Sequence, residues 1–273
     1  MVHFAASTMF FHEYVLEEIF DYLAEAGADS VEFWMETPHF WLSGMPEEEL
    51  SHCLAEHPGL IDFTFHAPIL DLNPCSINPR VAEASVTYAE EAVAMAERMG
   101  AGVVTVHPGR RTAKRVPSAP DYERFESYIR RLAGAARGRK VRVAMENMEK
   151  KVNYLLSDPG AMRELLDQEP WLWFTLDISH AMGTSIAEVK RYIDLCGDRL
   201  ANVHVGRAER GRMHLPMARR QDMGDLIRYI GRSGYEGNLT LEIEDLAFTH
   251  DLCSEEKVLL LSREVAFMRE SLG

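Results

Sequence analysis

The sequence predicts a (β/α)₈ barrel with its active site at the C-terminal ends of the strands. Three observations support this fold class. Short β-rich segments alternate with helical patterns along the whole chain, as in βαβ units. Eight such segments divide the 273 residues into units of roughly 34, close to the length that a barrel of about 250 residues requires. The glycine-rich turn of a dinucleotide-binding open sheet is absent after the first segment.

The predicted strands are rich in β-branched and aromatic residues. They lie at residues 2–6, 30–34, 61–66, 103–107, 141–147, 172–177, 200–205 and 238–244. Helical periodicity fills the intervals, most clearly over 79–99, where apolar residues recur at three- and four-residue steps and Gly100 follows as a C-cap. Since no linker or shift in composition interrupts this alternation, we expect one domain over residues 1–273.

Composition and charge limit the cell compartments and the partners that we expect for the protein. The formal net charge of −14 disfavours a general nucleic-acid or anionic-membrane surface, so neither partner is expected. The four cysteines are scattered without a CxxC pair, which argues against a disulfide framework or a thiolate zinc site. The N-terminus is acidic and no run of 18 apolar residues occurs, so we expect a cytoplasmic protein.

Within the predicted strands, small or polar side chains recur at every second position and so lie on one face. Because alternate residues of a strand face the same side, a ligand at a strand end and the small or polar residue two positions before it share a face. Thr64 precedes His66 in this way, and Thr105 precedes His107. The intervening positions are apolar and suit packing against helices. Six strand-end residues would therefore converge at the barrel mouth: His66, His107, Glu146, Asp177, His204 and Glu242. Glu32, on the second strand, is a further candidate.

Such a constellation predicts a metal site. Carboxylates crowded into a partly desolvated cavity cost several kcal/mol each unless a cation or proton compensates them. Mixed histidine and carboxylate ligands suit Zn²⁺ or Mn²⁺ better than Mg²⁺ or Ca²⁺. We therefore expect one or two divalent metal ions as cofactors.

The ordered motifs resemble the xylose isomerase-like TIM-barrel superfamily, which contains sugar isomerases, sugar epimerases and apurinic/apyrimidinic endonuclease IV. The motifs span nearly the whole chain. They are the tripeptides beginning at His66 and His107, the pair Glu146 and Asn147, Asp177 with His180, then His204, His214 and the tripeptide ending at Glu242.

The resemblance implies residue roles. In the ketohexose 3-epimerases of this superfamily one divalent ion is held by residues that match Glu146, Asp177, His204 and Glu242. Residues matching His180 and Arg210 hold substrate oxygens there. We also count His214 and Glu32 as candidate substrate-binding residues.

The resemblance to endonuclease IV is less complete. That enzyme binds three zinc ions and also uses the histidines that match His66 and His107, so a dinuclear site remains open here. Its third site needs an Asp-x-His motif, but this sequence has Arg212 in place of the aspartate before His214. A guanidinium at that position should repel a third ion.

The predicted function is a divalent-metal-dependent isomerase or epimerase that acts on a sugar or sugar phosphate through an enediolate. The metal would polarise a carbonyl and stabilise the enediolate, while Glu146 and Glu242 act as base and acid. The alternatives are an endonuclease IV-like phosphodiesterase and a non-catalytic barrel that binds a metal or ligand. Because barrels of this kind often pair, a homodimer is a possible assembly.

Positive charge gathers in two predicted loops despite the acidic total. These loops contain Arg110, Arg111, Lys114 and Arg115 after the fourth strand, and Arg207, Arg210, Arg212, Arg219 and Arg220 after the seventh. Two interpretations stay open. The loops are either ordinary solvated segments, partly neutralised by Glu209 and Asp222, or a site for an anionic polyol such as a phosphorylated sugar.

Overall fold

Eight parallel strands close into a barrel in the computed structural model, which describes residues 1–245 and 248–273. The predicted fold class is confirmed. The barrel strands are β1 (His3–Ser7), β2 (Ser30–Trp34), β3 (Asp62–His66), β4 (Val103–Val106), β5 (Arg142–Glu146), β6 (Trp173–Asp177), β7 (Leu200–Val205) and β10 (Asn238–Leu241). Around the barrel they follow the order β1-β10-β7-β6-β5-β4-β3-β2.

Helices between the strands form the outer layer. They are α1 (Leu16–Glu25), α2 (Pro38–Leu42), α3 (Glu47–Glu56), α4 (Pro79–Met99), α5 (Ala119–Ala136), α6 (Pro159–Gln168), α7 (Ile178–Met182), α8 (Ile186–Cys196), α9 (Gln221–Arg232) and α10 (Ser254–Leu272). The predicted helix over 79–99 has the expected bounds and ends at Gly100 in the left-handed conformation. Among the described residues, no helix combines the length and the apolarity needed to cross a lipid bilayer.

The two faces of the strands differ as the sequence predicts. Outward-facing residues such as Phe65, Val106 and Leu176 are buried in one large apolar core with the helices. Inside the barrel, polar side chains bond across the axis, since the hydroxyls of Thr105 and Thr175 lie 2.9 Å apart. Apolar packing therefore fixes the barrel from outside, and its interior is left for polar groups.

The segment after β7 differs from the prediction. Where the sequence suggested a loop, β8 (Arg207–Glu209) and β9 (Arg212–Leu215) form an antiparallel hairpin, whose turn at Arg210 and Gly211 has positive φ angles of 52° and 79°. The last barrel strand also ends earlier than the predicted residue 244. Glu244 donates its backbone N–H to the carbonyl of His214 at 3.0 Å, so the chain leaves the barrel to follow the hairpin.

The loop after β4 depends on a glycine. Gly109 has a φ of +83°, and a Cβ there would lie 2.9 Å from Asn73 Oδ1 and 3.0 Å from Pro74 Cγ. Both the left-handed backbone and the close neighbours therefore disfavour a side chain at this position. The loop can approach the β3–α4 connection only because this residue has none.

We expect Gly109→Ala to lower the free energy of unfolding by about 2–4 kcal/mol, from left-handed strain plus overpacking. Gly100→Ala is the matched control, because Gly100 has a φ of +73° but nothing within 4 Å of a new Cβ. Urea unfolding should show a larger loss for Gly109→Ala than for Gly100→Ala. Equal losses would mean that the contacts with Asn73 and Pro74 impose no cost.

Candidate active site

A cavity of about 1190 Å³ opens at the C-terminal ends of the barrel strands. Of the candidate site residues, the following line it: His107, Glu146, His180, His214 and Glu242. His66, Asp177 and His204 lie immediately beneath, and each is at most 2% exposed. The strand ends thus deliver these side chains to one place.

Glu146, at the end of β5, is surrounded by imidazoles. Its Oε2 atom lies 2.8 Å from His107 Nε2 and 3.4 Å from His66 Nε2. Its Oε1 atom lies 3.2 Å from His180 Nδ1. The carboxylate is 1% exposed, so these neighbours replace the water that would otherwise solvate its charge.

A second group of ligands lies beside Glu146. Asp177 and His204 are opposite each other in the β6–β7 register, and Glu242 directly follows β10 on the other side of β7. His204 Nδ1 lies 2.8 Å from Glu242 Oε2 and 3.8 Å from Asp177 Oδ2. One ligand atom from each of Glu146, Asp177, His204 and Glu242 can be chosen so that all lie within 4.8 Å of one another.

Several of these buried ligand atoms lack a hydrogen bond of acceptable geometry among the described residues. They are Asp177 Oδ2, His204 Nδ1, His214 Nδ1 and Glu242 Oε2. Buried polar atoms rarely lack partners, and here they face one another instead of water. A divalent cation among them would satisfy the lone pairs and neutralise the carboxylates, so the donor set fits the predicted metal.

In the part of the chain that the structure describes, three further ligand groups overlap or adjoin this set. They are His66, His107 and Glu146; His66, His204 and Glu242; and Asp177, His180 and His214. Because Glu146 belongs to the first group and to the four-residue set, a carboxylate bridge between two ions is geometrically available. The arrangement can therefore accommodate more than one cation.

Without a bound cation, the histidines take up positive charge. Burial alone would lower the pKa of His66, but the hydrogen bond and charge of Glu146, together with other carboxylates, raise it to about 9. Burial is likewise outweighed at His180 and His204, whose pKa values are raised well above the usual range by neighbouring carboxylates. At His107, by contrast, burial prevails over Glu146 and the pKa is lowered.

The carboxylates respond in opposite directions. Burial opposes ionisation of Glu146 and Glu242, but the adjacent histidines hold the pKa of each below its usual range. At Asp177 burial prevails and raises the pKa to about 7, although His180 and His214 act against it. Glu146 and Glu242 are therefore ionised at neutral pH, as a proton-accepting base must be.

Two of the candidate substrate-binding residues lie outside the cavity lining. Glu32 is fully buried below it, 3.0 Å from His204 Nε2 and 2.6 Å from Asn202 Nδ2, a position that suits orienting His204 more than contacting substrate. Arg210 lies exposed in the turn between β8 and β9. Its predicted contact with substrate oxygens stays a prediction.

Some charged residues of the lining were not identified from the sequence. Glu149 lies with its Oε2 3.8 Å from His180 Nε2 and pairs with Lys151. Glu36 accepts backbone hydrogen bonds from Ile69 and Leu70. Glu36, Glu149 and Lys151 all follow strand ends, and this position in the sequence was the signal available.

Metal binding at pH 7 should release at least one proton. His66 is protonated there without a cation, because its pKa is raised to about 9, and the pKa values of His180 and His204 are raised in the same direction, whereas a metal ligand must be neutral imidazole. Affinity should therefore increase as pH rises from 6 toward 9. Calorimetric titration with Zn²⁺ in buffers of different ionisation enthalpy measures the release. An observed enthalpy that does not depend on the buffer would contradict the expectation.

Comparisons with known proteins bear on the fold and the family. The chain is 27% identical over 271 residues to an uncharacterised protein of Methanocaldococcus jannaschii, covering 98% of each. Among solved structures, it is similar to an L-ribulose 3-epimerase, with a TM-score of 0.80 and 18% identity over 100% of this chain and 95% of that one. It is also similar to endonuclease IV from Thermus thermophilus, with a TM-score of 0.69 and 19% identity over 98% of this chain and 99% of that one.

At these identities the two solved structures bear on the fold alone. The family model described as "Xylose isomerase-like TIM barrel" matches residues 20–270, which include every candidate site residue. The protein therefore belongs to the xylose isomerase-like TIM-barrel family.

Proposed function

We propose that the protein is a divalent-cation-dependent isomerase or epimerase that acts on a sugar or sugar phosphate. The observation that carries this proposal is the set of buried, unsatisfied ligand atoms of Asp177, His204 and Glu242, which lie beside Glu146 at the base of a large cavity. An inert barrel has no need to hold such costly groups together.

Glu146, Asp177, His204 and Glu242 would hold the cation. When bound, it would polarise a ketose carbonyl and its neighbouring hydroxyl and so stabilise the enediolate formed by loss of a carbon-bound proton. Zn²⁺ and Mn²⁺ both suit this mixture of ligands.

Glu146 and Glu242 are the proposed acid–base pair. Both line the cavity and both are held in the ionised form by neighbouring histidines. They come from strands on either side of β6 and β7, so they can reach one substrate carbon from different directions. One, as the carboxylate, would remove the carbon-bound proton. The other would have to take up a proton from solvent first, and by returning it to the opposite face of the enediolate it would invert a stereocentre.

His180 is the residue proposed to hydrogen-bond the substrate hydroxyls. Its Nδ1 lies 2.9 Å from the carbonyl of Asn147, which leaves Nε2 directed toward Glu149 in the cavity wall. Asn147 also accepts from the backbone N–H of Asp177 at 2.8 Å and so holds the ends of β5 and β6 together. The similarity to an L-ribulose 3-epimerase structure is compatible with these roles.

Incubation with ketoses in deuterated water tests the proposal. We expect the metal-loaded protein to incorporate deuterium at a carbon adjacent to the carbonyl, and Glu242→Gln to lower the rate about 10²–10⁴-fold. The metal content of the variant is measured alongside, because the effect must come from the lost base and not from lost metal. Glu236→Gln, at an exposed residue paired with the N-terminus, is the control. Unchanged exchange in Glu242→Gln would eliminate that role.

Phosphodiester hydrolysis is a second candidate, favoured by the additional ligand groups that contain His66, His107, His180 and His214. The net charge of −14 opposes it, and Arg212 stands two residues before His214, where the endonuclease motif has an aspartate. We expect one or two metal ions per chain by elemental analysis and no nicking of abasic-site DNA. Three ions together with nicking would favour the phosphodiesterase instead.

A further inference from the structure

We propose that Arg110 and Lys151, which both lie beside the ring of Tyr154, bind a terminal anionic group of the substrate, a phosphate or a carboxylate. This inference rests on the proposed function, because the anion would be carried by the same sugar whose reacting carbons lie at the ligand cluster. It names the substrate class as an anionic ketose.

The two cations lie together on one sector of the cavity wall. Arg110 follows β4 and Lys151 follows β5, which are neighbouring strands, and both side chains line the cavity. The guanidinium carbon of Arg110 lies 6.0 Å from the centre of the Tyr154 ring, and Lys151 Nζ lies 5.2 Å from it. Two like charges on one ring repel each other, and an anion between them would reverse the sign of that interaction.

Arg110 differs from three other arginines of the two basic loops. Arg207 pairs with Glu209, Arg219 with Glu270 and Arg220 with Asp222, and none of these arginines lines the cavity. Within residues 1–245 and 248–273, by contrast, the guanidinium of Arg110 forms no ion pair with a carboxylate. Lys151 is paired with Glu149. Among the described residues, Arg110 is thus a cavity-facing cation without an acidic partner, whereas Arg207, Arg219 and Arg220 belong to neutralised surface pairs.

The backbone around Arg110 is held from both sides. Its N–H donates to Asn73 Oδ1 at 2.9 Å, and its carbonyl accepts from Asn73 Nδ2 at 2.8 Å. On the other side, the N–H of Arg111 donates to the carbonyl of Asn153 at 2.8 Å, and Asn153 Nδ2 returns a bond to the carbonyl of Arg111 at 2.9 Å. Arg110 is therefore presented on a preorganised segment, which lowers the entropic cost of binding.

Cavity size and charge support the same location. The volume of about 1190 Å³ exceeds the roughly 300–1,000 Å³ of ordinary small-molecule pockets, so a sugar at the cluster leaves room for a further group. Glu36, Asp71 and Asp245 line other parts of the wall and disfavour an anion there. The β4 and β5 loops place Arg110 and Lys151 in the wall against one loop carboxylate, Glu149, so an anion would be attracted there.

Matched sugars test the inference on the metal-loaded protein. D-fructose, D-fructose 6-phosphate and D-fructuronate share one carbon skeleton and differ in the terminal group, so the last two separate phosphate from carboxylate. Calorimetry measures binding, and deuterium exchange measures reaction. We expect at least one anionic sugar to bind roughly tenfold or more tightly than D-fructose, and the preference to weaken as NaCl is raised.

The preference should fall to within about threefold in the Arg110→Gln/Lys151→Gln protein, and Arg110→Gln alone should remove much of it. Arg220→Gln is the control, because Arg220 is an exposed arginine paired with Asp222 outside the cavity lining. It should keep the wild-type preference. Unfolding curves check that the variants remain folded.

The possible failures are distinguishable. Equal binding of all three sugars to the wild type, or a preference retained in the double variant, overturns the anion site. Exchange into D-fructose without preference for the anionic sugars leaves the proposed function standing and removes only this inference. A preference in binding that the double variant loses, without exchange into any sugar, supports the anion site and contradicts the proposed function.

Discussion

The buried charge at the barrel mouth is the constraint on which the rest of the structure depends. Glu146, Asp177 and Glu242 are withdrawn from water together with the surrounding histidines, and several of their polar atoms face one another without hydrogen bonds. Protons can compensate this charge, which is why the pKa values of His66 and His204 rise. A divalent cation held by these residues would compensate it more completely, because one ion would accept lone pairs from several of them at once.

Layers of the barrel interior support that arrangement. Below the cluster, Asn202 receives a hydrogen bond from Thr240 at 2.9 Å and donates one to Glu32 at 2.6 Å, and Glu32 holds the far side of the His204 ring. Ligand histidines are commonly oriented by a carboxylate in this way. The apolar core lies outside the strands, and its burial supplies the stabilisation that offsets the cost of the polar groups buried at the mouth.

The loops at the barrel mouth contribute residues to the cavity wall that the barrel strands do not. The fold is shared with an L-ribulose 3-epimerase and with endonuclease IV, so the barrel by itself does not fix the reaction. The hairpin of β8 and β9 places His214 beside Asp177, and it also places Arg212 in the cavity wall. The β4 and β5 loops place Arg110 near Tyr154. Under the proposed function, substrate choice would be made at this rim and proton transfer would take place below it.

The sequence by itself determined the barrel, its strands and the side of each strand that carries ligands, because alternation along a strand is a local property. The strand face on which His66, Glu146 and Asp177 lie could be predicted without knowledge of distant contacts. Tertiary structure decided what the neighbours are: that Glu32 lies beneath His204, that Arg210 is exposed, and that Glu149 reaches His180. It also decided which arginines are neutralised, since ion pairs such as that of Arg219 with Glu270 join residues far apart in the chain. Which side chains are buried and which charges are paired depends on closure of the whole barrel. The periodicity of the sequence cannot predict them.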